Sequence, residues 1–416
     1  MESVERLRAA YIITTFSLGG ATETVLLSVL GLRAIGYDAV VLAGPPIASE
    51  GGLVEEAARA GVDVRVIPTL RREIGPLADA RALAAIIREL RRGEYQIVHT
   101  HSSKAGILGR LAARLVGVPV IVHTFHALPY LPSSSLIRRL PLVLTERVAA
   151  RWTSELFSVS RDMIARGASD GIAPRERYRV VRSAMDLGRF LSPRPERDAI
   201  RARWGLEPTD VALGIIGRVY SNYKGQDVLV DLLPLLRERA PHLRLVIIGS
   251  GPLVEPLRER ARRQGLADRV LFVGSFLPDD MPEVISALDA LILISTHEGL
   301  PRVFVQALAC RKPVISYDLD GSPEVITDRV NGRLIRPGDS DALVDAIAEL
   351  ASDATLRAAW GERGPATVDP EFRAETMVRQ IDATYRRLLR QAGLPVPPER
   401  EVPPVTTWAQ SADVRG

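Results

Sequence analysis

The stretch EGLPRVFVQALACRKPVISYDLDGSPEVI, which runs from Glu298 to Ile326, carries a carboxylate and an amide at helical spacing. Glu298 stands beside a Gly-Leu-Pro turn, and Gln306 follows eight residues later on an apolar helical pattern, where the helix period returns to one face. Pro301 lies at the first helical turn, where backbone N–H groups have no partner within the helix. These groups could donate hydrogen bonds to phosphate oxygens or sugar hydroxyls. A simple helix cap is the alternative interpretation.

Two cations flank a second loop, in GIIGRVYSNYKGQDVLV. Gly217 and Arg218 end an apolar strand pattern, and Lys224 and Gly225 open the next helix. Two cations at the carboxyl end of a strand suit a diphosphate, whose charge grows as its sugar leaves. A solvated loop is the alternative. The chain has only three lysines, which favours a specific role for Lys224.

A Gly-Gly turn, Gly19 and Gly20, separates the first strand pattern from the first helix pattern. Two glycines let the backbone approach an anion closely, and the following helix offers its positive end. The spacing is not G-x-G-x-x-G, so an ordinary strand-to-helix turn remains the alternative.

Four of the six histidines cluster: His99 and His101 end one strand pattern, and His123 and His126 lie at the end of the next. Strand alternation puts His99 and His101 on one face, a spacing that metals use. No carboxylate or cysteine joins them at metal-ligand spacing, so structural histidines are the main alternative. His126 lies past the strand end and is the one predicted to be a site residue.

Composition describes a globular protein, with 46% hydrophobic and 25% charged residues in 416 positions and a net charge of +4. No aromatic run interleaves with the basic residues, so a nucleic-acid partner is not expected. A single cysteine, Cys310, fits a buried structural thiol in a reducing compartment. Neither a signal peptide nor a transmembrane helix is recognisable, which predicts a cytoplasmic protein.

Apolar strand patterns alternate with amphipathic helix patterns, which predicts a parallel α/β architecture. The alternation restarts after LSPRPER, residues 191–197, which reads as a surface linker. We therefore expect one α/β domain at 1–190 and a second at 191–370. A C-terminal helix is expected at 371–392, and the Pro-rich residues 393–416 are expected to be a disordered tail.

The motifs together resemble the retaining glycosyltransferases of family 4 (glycosyltransferase group 1), bacterial enzymes of polysaccharide and lipopolysaccharide type. The resemblance implies a GT-B fold: two doubly wound Rossmann-like domains face each other across a cleft, and the C-terminal helix returns toward the first domain. It also implies that the first domain, 1–190, binds the acceptor and that the second, 191–370, binds the nucleotide sugar. The motifs that carry it are SLGGATETVLL, HTHSSKAGILGRLAARLVGVPVIVHTFHA, GRVYSNYKG, VIIGSGP, LFVGSF and the stretch from Glu298.

By this resemblance, Arg218 and Lys224 neutralise the donor diphosphate, Glu298 binds the hydroxyls of the donor sugar, and His126 lies beside its anomeric carbon and primary hydroxyl. These four are the expected catalytic residues. The LFVGSF loop, Phe272 to Phe276, would border the base. The expected donor-binding positions are Gly19, Gly20, Arg218, Lys224, Gly249, Gly274, Phe276, Glu298, Gly299, Leu300, Pro301, Arg302 and Gln306.

The resemblance also implies the reaction: transfer with retention from a UDP-linked sugar to a lipid-linked or polysaccharide acceptor, in envelope or exopolysaccharide biosynthesis. The β-phosphate would take the acceptor's proton, and neither a metal nor a cofactor is expected. Alternatives on the same fold are a sugar-nucleotide epimerase or hydrolase, or a non-catalytic sugar-nucleotide binder.

Two positions depart from the family pattern. Gln306 stands where the family usually has a second glutamate that holds the ribose, so a neutral amide would make that contact. Ala184 stands where a glycine is common between the domains, which would stiffen a hinge.

The segment from Ser133 to Trp152 mixes arginines with Leu and Val. It predicts either an interfacial helix or an amphipathic helix packed on the domain. The first would give a peripheral contact with an anionic membrane, at the inner face of the cytoplasmic membrane.

Overall fold

The computed structural model of the chain describes residues 7–47, 53–130, 134–192, 194–220, 223–396 and 398–406. The chain divides into two compact units. The first unit comprises the residues up to Asp186 and those from Glu371 onward, and the second unit is Leu187–Pro370. The sequence-based boundaries were 190/191 and 370/371.

In the described part of the first unit, seven parallel strands form one sheet in the order β3-β2-β1-β4-β5-β6-β7. The strand order reverses between the neighbours β1 and β4, which is the topological switch point where open α/β sheets place their ligands. The strands are β1 Arg8–Ile13, β2 Asp38–Ala43, β3 Val64–Val66, β4 Ile97–His101, β5 Val120–Phe125, β6 Glu155–Ser158 and β7 Tyr178–Val180.

The helices of this sheet connect its parallel strands, and the last helix of the chain joins them. They are α1 Gly20–Ala34, α2 Val54–Arg59, α3 Pro76–Gly93, α4 Ser103–Val116, α5 Leu136–Ala150 and α6 Arg161–Ser169.

The described part of the second unit repeats the plan with six parallel strands in the order β10-β9-β8-β11-β12-β13, so its switch point lies between β8 and β11. The strands are β8 Val211–Ile216, β9 Leu243–Ile248, β10 Val270–Gly274, β11 Ala290–Leu293, β12 Val314–Tyr317 and β13 Gly332–Ile335. The helices are α7 Gly188–Leu191, α8 Arg197–Arg203, α9 Gln226–Arg239, α10 Val254–Arg263, α11 Met281–Ser286, α12 Arg302–Ala309, α13 Ser340–Ser352 and α14 Ala354–Val368.

Helix α15, Ala374–Gln391, belongs to the first unit although it follows the second in sequence. Its apolar residues recur every three or four positions, and this face packs against α1. The two helices approach so closely that a Cβ at Gly31 would lie 2.5 Å from a Val378 methyl carbon. The predicted two-domain α/β architecture and the return of the last helix to the first unit are confirmed.

Two strands were not predicted. Strands β7 and β13 are three and four residues long and lie at sheet edges. Each contains an arginine, so neither has the long apolar run from which a strand is predicted.

The structure differs from the prediction of a disordered tail. Val402 and Val405 are buried in the core cluster that α1 and α15 share, and the Val405 backbone N–H donates to Glu375 Oε1 at 2.7 Å. The partly buried Leu394 and Val396 pack against the same cluster, so four apolar residues hold this Pro-rich segment on the core, which composition alone does not reveal. The last ten residues, 407–416, lie outside the described residues.

Helix α5 presents an apolar stripe to the outside of its unit. Leu136, Ile137, Leu140, Leu144 and Val148 are all exposed, from 42% to 86%. At 100° per residue these five positions fall within an arc of about 120°. The opposite face of the helix packs on the domain through Val143, Ala149 and Ala150, so α5 is an amphipathic helix docked on its unit that also has an exposed apolar stripe. None of the helices in the described part of the chain has the length and hydropathy of a transmembrane span.

Candidate functional site

The predicted donor-binding residues of the second unit gather where β8 and β11 end. These strands are parallel neighbours, so the loops that follow them leave the sheet side by side. The Thr296 backbone N–H, after β11, donates to the Tyr223 carbonyl of the loop after β8 at 2.9 Å. Gly225 is the N-cap of α9 with φ 91°, and a Cβ there would lie 2.3 Å from a side-chain carbon of Ile294. A glycine is required for this close approach.

Lys224 and Glu298 form an ion pair between these two loops, with side chains 16% and 23% exposed. The Ser295 hydroxyl donates to Glu298 Oε1 at 3.3 Å, and the Lys224 ammonium lies 5.3 Å from the centre of the Tyr223 ring. A half-buried cation and a half-buried carboxylate are thus held together at the topological switch point between β8 and β11. The pair can serve a ligand that carries both a phosphate and hydroxyl groups.

Asp320, which the sequence analysis did not single out, holds the Glu298 backbone. Its Oδ2 accepts the Glu298 N–H at 2.6 Å, and the next residue, Gly321, donates to the Gly299 carbonyl at 3.1 Å. Asp320 lies in the turn after β12 with φ 54°, a left-handed conformation that aspartate tolerates. The signal in the sequence was the Asp-Gly turn in DLDGSP, inside the stretch from Glu298.

Helix α12 begins directly after the Glu298 turn. Pro301 is its N-cap and supplies no side-chain cap bond. Gly299, Leu300 and Pro301 are buried, whereas Arg302 is half-buried. Gln306 is also half-buried and is the fifth residue of α12, so it lies inside the helix while Glu298 lies before it.

Three glycines lie at the ends of adjacent strands: Gly217 after β8, and the predicted donor-binding residues Gly249 after β9 and Gly274 at the end of β10. The Gly249 N–H donates to the Gly274 carbonyl at 2.8 Å, and a Cβ at Gly249 would lie 2.1 Å from the Gly217 carbonyl oxygen. Backbone contact of this kind brings the three turns together. Phe276 follows, half-buried, with its ring 6.2 Å from that of Trp204.

Arg218 is exposed at the end of β8. Its carbonyl accepts a hydrogen bond from the Gln226 side chain at 3.4 Å, which fixes the backbone of the loop rather than the guanidinium. The two cations therefore differ in exposure, since Arg218 is exposed and Lys224 is half-buried.

In the first unit, the Gly-Gly turn follows β1 at the switch point. Gly19 is exposed in an extended conformation with φ 161°, and a Cβ there would meet nothing within 4 Å. Neither packing nor backbone conformation requires glycine at this position. Gly20 is the first residue of α1, beside it.

The histidine cluster lies at the carboxyl ends of β4 and β5. His99, His101 and His123 are fully buried, and burial is the largest cause that lowers the pKa of each, for His99 to about 3. His123 Nδ1 lies 2.9 Å from the Thr100 hydroxyl. His126 follows β5, half-buried.

For a metal ion, the described residues offer no group of three or more His, Cys, Asp or Glu side chains in a suitable arrangement. The His99 nitrogens lie 2.6 Å from the Tyr385 hydroxyl and 2.7 Å from the Thr124 hydroxyl, so protein groups occupy them. This is the structural role that the sequence analysis gave as the main alternative. Cys310 is half-buried, and burial raises the pKa of its thiol to about 12.

Comparison with known proteins identifies relatives along most of the chain. A family model described as "Glycosyl transferases group 1" matches residues 196–367, and one described as "Glycosyl transferase 4-like domain" matches 19–184. Both units are therefore covered.

Two curated relatives illustrate the similarity. A GDP-mannose-dependent alpha-(1-6)-phosphatidylinositol monomannoside mannosyltransferase of Mycobacterium tuberculosis is 30% identical over 347 residues, which is 79% of this chain and 84% of that protein. A UDP-Gal:alpha-D-GlcNAc-diphosphoundecaprenol alpha-1,3-galactosyltransferase of Escherichia coli is 28% identical over 313 residues, 74% of this chain and 80% of that protein.

Among solved structures, Anabaena Alr3699/HepE in complex with UDP superposes with a TM-score of 0.76 at 22% identity. The match covers 91% of this chain and 99% of that one, and it shows the fold. The chain belongs to the group 1 glycosyltransferases and has the GT-B fold.

Proposed function

We propose that this glycosyltransferase moves a sugar, with retention of configuration, from a UDP-linked donor to a lipid-linked or polysaccharide acceptor of envelope or exopolysaccharide biosynthesis. The observation that carries the proposal is the Lys224–Glu298 pair at the β8–β11 switch of the second unit. A nucleoside-diphosphate sugar carries a diphosphate for the cation and sugar hydroxyls for the carboxylate.

In the proposed reaction, Lys224 and Arg218 neutralise the diphosphate as the bond from the anomeric carbon to the phosphate oxygen breaks. The acceptor oxygen forms its bond to the anomeric carbon on the same face, and its proton passes to the departing phosphate. Glu298 binds the sugar hydroxyls, and His126 binds the sugar near its reacting carbon. Backbone N–H groups of Gly299, Leu300 and Arg302 complete the anion and hydroxyl contacts.

The nucleoside is proposed to lie against the glycine turns that end β8, β9 and β10. Gly249 and Gly274 let the backbone approach it, Phe276 borders the base, and Gln306 contacts the ribose through its amide. Support for uridine comes from the E. coli relative, whose name specifies UDP-Gal, and from the Anabaena protein, solved with UDP. The mycobacterial relative's name specifies GDP-mannose.

The base is tested by calorimetric titration of the full chain with UDP, GDP and ADP and with their common sugar conjugates. We expect UDP and one UDP-sugar to bind, and binding of a GDP-sugar alone would overturn the uridine assignment. The donor identified in this way is then incubated with and without candidate acceptors. Turnover that is as fast without acceptor would favour a hydrolase or epimerase.

Lys224→Ala tests the diphosphate role. We expect kcat to fall on the order of 100-fold, since a charge-assisted contact at a transition state is worth about 2–4 kcal/mol. Affinity for the free nucleoside should change little. The control is Arg237→Ala, an exposed cation on α9, which should behave as wild type. Near-wild-type turnover by Lys224→Ala would remove this role.

We also propose that transfer needs no metal, because Lys224 and Arg218 supply the positive charge beside the diphosphate. Activity should then persist after dialysis against EDTA. Loss in EDTA followed by recovery with magnesium or zinc would contradict this.

For the acceptor, we propose that α5 rests on an anionic membrane surface that presents a lipid-linked substrate. Its exposed apolar stripe is flanked by Arg138 and Arg151, both exposed, and a buried ion pair of 2.6 Å between Glu146 and Arg110 holds the helix on α4. Apolar residues with arginines alongside are typical of helices that bind the bilayer interface. The names of both curated relatives specify lipid-linked or lipid acceptors.

Vesicle sedimentation tests the membrane contact. The full chain should bind vesicles that contain phosphatidylglycerol more tightly than pure phosphatidylcholine. Leu140→Ser with Leu144→Ser should weaken this binding, while Leu235→Ser, an equally exposed leucine on α9, should not. Equal binding by the α5 variant and the control would contradict the proposal.

A further inference from the structure

Four aromatic rings stack between the core and the end of β5: Tyr11 of β1, His99 and His101 of β4, and His126 just after β5. His101 lies between its neighbours, with ring centres 4.4 Å from His99, 5.5 Å from Tyr11 and 5.3 Å from His126, and interplanar angles of 18–30°. His101 is 1% exposed, so its ring is held on several sides by other rings. Because the ring of His101 is packed in this stack, its two nitrogens can reach few other groups.

The nitrogens of His101 are unequal. Its Nδ1 lies 3.0 Å from His126 Nε2, whereas its Nε2 is buried without a hydrogen-bond partner among the described residues. A neutral imidazole carries one proton, and a buried N–H without an acceptor costs more than an unused ring lone pair. The proton of His101 therefore belongs on Nδ1, where it is donated to His126.

The position of this proton on His101 determines the tautomer of a neutral His126. When His126 Nε2 accepts the bond from His101, a neutral His126 must carry its own proton on Nδ1. Burial holds the pKa of His101 well below its usual range, helped by the neighbouring His99, His126 and His123, so His101 stays neutral. A neutral His101 has one proton to donate, and the missing partner at Nε2 in the described part of the chain places that proton on Nδ1.

We propose that His101 is a positioning residue that fixes His126 as the Nδ1–H tautomer, so that His126 offers its ligand a hydrogen-bond donor and not a base. The inference rests on the proposed function, in which His126 contacts the donor sugar, and it specifies what that contact recognises: an oxygen that accepts, such as a sugar hydroxyl. It agrees with a reaction in which the leaving phosphate takes the acceptor's proton.

The neighbouring hydrogen bonds show the same arrangement. The Tyr385 hydroxyl donates to Tyr11 at 2.9 Å, so it accepts from His99 Nδ1, and the Thr124 hydroxyl then donates to His99 Nε2. His99, directly behind His101 in the stack, is therefore also the Nδ1–H tautomer. The rings of His99 and His101 are thus oriented by different protein groups, and the N–H of His101 is the one that points to His126.

The first test is nitrogen NMR of the full chain labelled with ¹⁵N-histidine, with the His126 signals assigned by their loss in His126→Gln. In the wild type we expect a protonated Nδ1 and an unprotonated Nε2 on His126 near pH 7.5. His101→Leu removes the donor, and we expect His126 to shift to a mixture with Nε2–H. A wild-type His126 that carries its proton on Nε2 would overturn the proposal.

Two further variants separate positioning from packing. His101→Asn places an amide donor near the Nδ1 position and should keep the tautomer and most of the activity, which provides the rescue. His123→Asn changes a neighbouring buried histidine that bonds Thr100 and not His126, so it should lower stability without changing the tautomer.

Kinetics with the identified donor completes the test. His101→Leu should lower kcat about five- to tenfold, the effect expected of one hydrogen bond, with nucleotide affinity changed less than about twofold. Equal kcat in His101→Leu and wild type would contradict the positioning role. A wild type that transfers no sugar would instead refute the proposed function, and the NMR result would still decide the tautomer.

Discussion

Lys224 and Glu298 are the residues on which the proposed chemistry depends, and their opposite charges give them different ligands. A diphosphate attracts the ammonium and repels the carboxylate, so it would lie on the lysine side while sugar hydroxyls lie at Glu298. Gln306 adds no charge and lies within α12, beyond the turn that holds Glu298. We therefore expect Glu298 and Gln306 to contribute unequally, the first to turnover and the second to donor affinity.

Gly19 provides a test at a single residue that structure alone does not constrain. A methyl group there meets nothing within 4 Å, so Gly19→Ala should leave the melting temperature unchanged. If the backbone at Gly19 approaches the donor phosphate, the same methyl should lower kcat/KM by about tenfold. Gly75→Ala, where a Cβ makes an ordinary 3.7 Å contact, is the control. Unchanged kinetics in Gly19→Ala would mean that this turn only connects β1 to α1.

At the scale of elements, long buried strands and periodic helices could be predicted from sequence because their apolar patterns are continuous. The strands β1 and β8 have five and six buried apolar or small residues in a row. Short edge strands such as β7 lack that signal, and their position depends on pairing with β6. Likewise, Asp320 and Glu298 are 22 residues apart, and only the adjacency of β11 and β12 brings them together.

The docked segment near the C-terminus gives a prediction for an element. Val402→Ser with Val405→Ser should lower the free energy of unfolding by about 2–3 kcal/mol, because both side chains leave the core shared by α1 and α15. Glu401→Ser, an exposed neighbour, should change it little. Urea denaturation measures the difference, and equal midpoints would mean that this segment contributes no stability.

At the scale of the whole molecule, the buried histidines make stability depend on pH. The folded state keeps the pKa of His99 at about 3 and those of His101 and His123 well below 6.5, so in mild acid the unfolded chain binds more protons. Stability is therefore fully present above about pH 6.5 and falls as the pH drops below it, by about 1.4 kcal/mol per pH unit for each histidine.

Urea unfolding at pH 7.5, 6 and 5 checks this dependence, in a range where most carboxylates remain ionised. His123→Asn should show a shallower loss than wild type, since one titrating group is gone. An unfolding free energy that stays level down to pH 5 would contradict the buried neutral state of the cluster.

The central claim is that the Lys224–Glu298 site of the second unit activates the donor sugar. Its most direct test is one transfer assay with the identified donor and acceptor on wild type, Glu298→Gln and Gln306→Ala. We predict that Glu298→Gln lowers kcat on the order of 100-fold, whereas Gln306→Ala raises the donor KM several-fold with kcat nearly unchanged. Loss of turnover in Gln306→Ala together with normal turnover in Glu298→Gln would contradict the account.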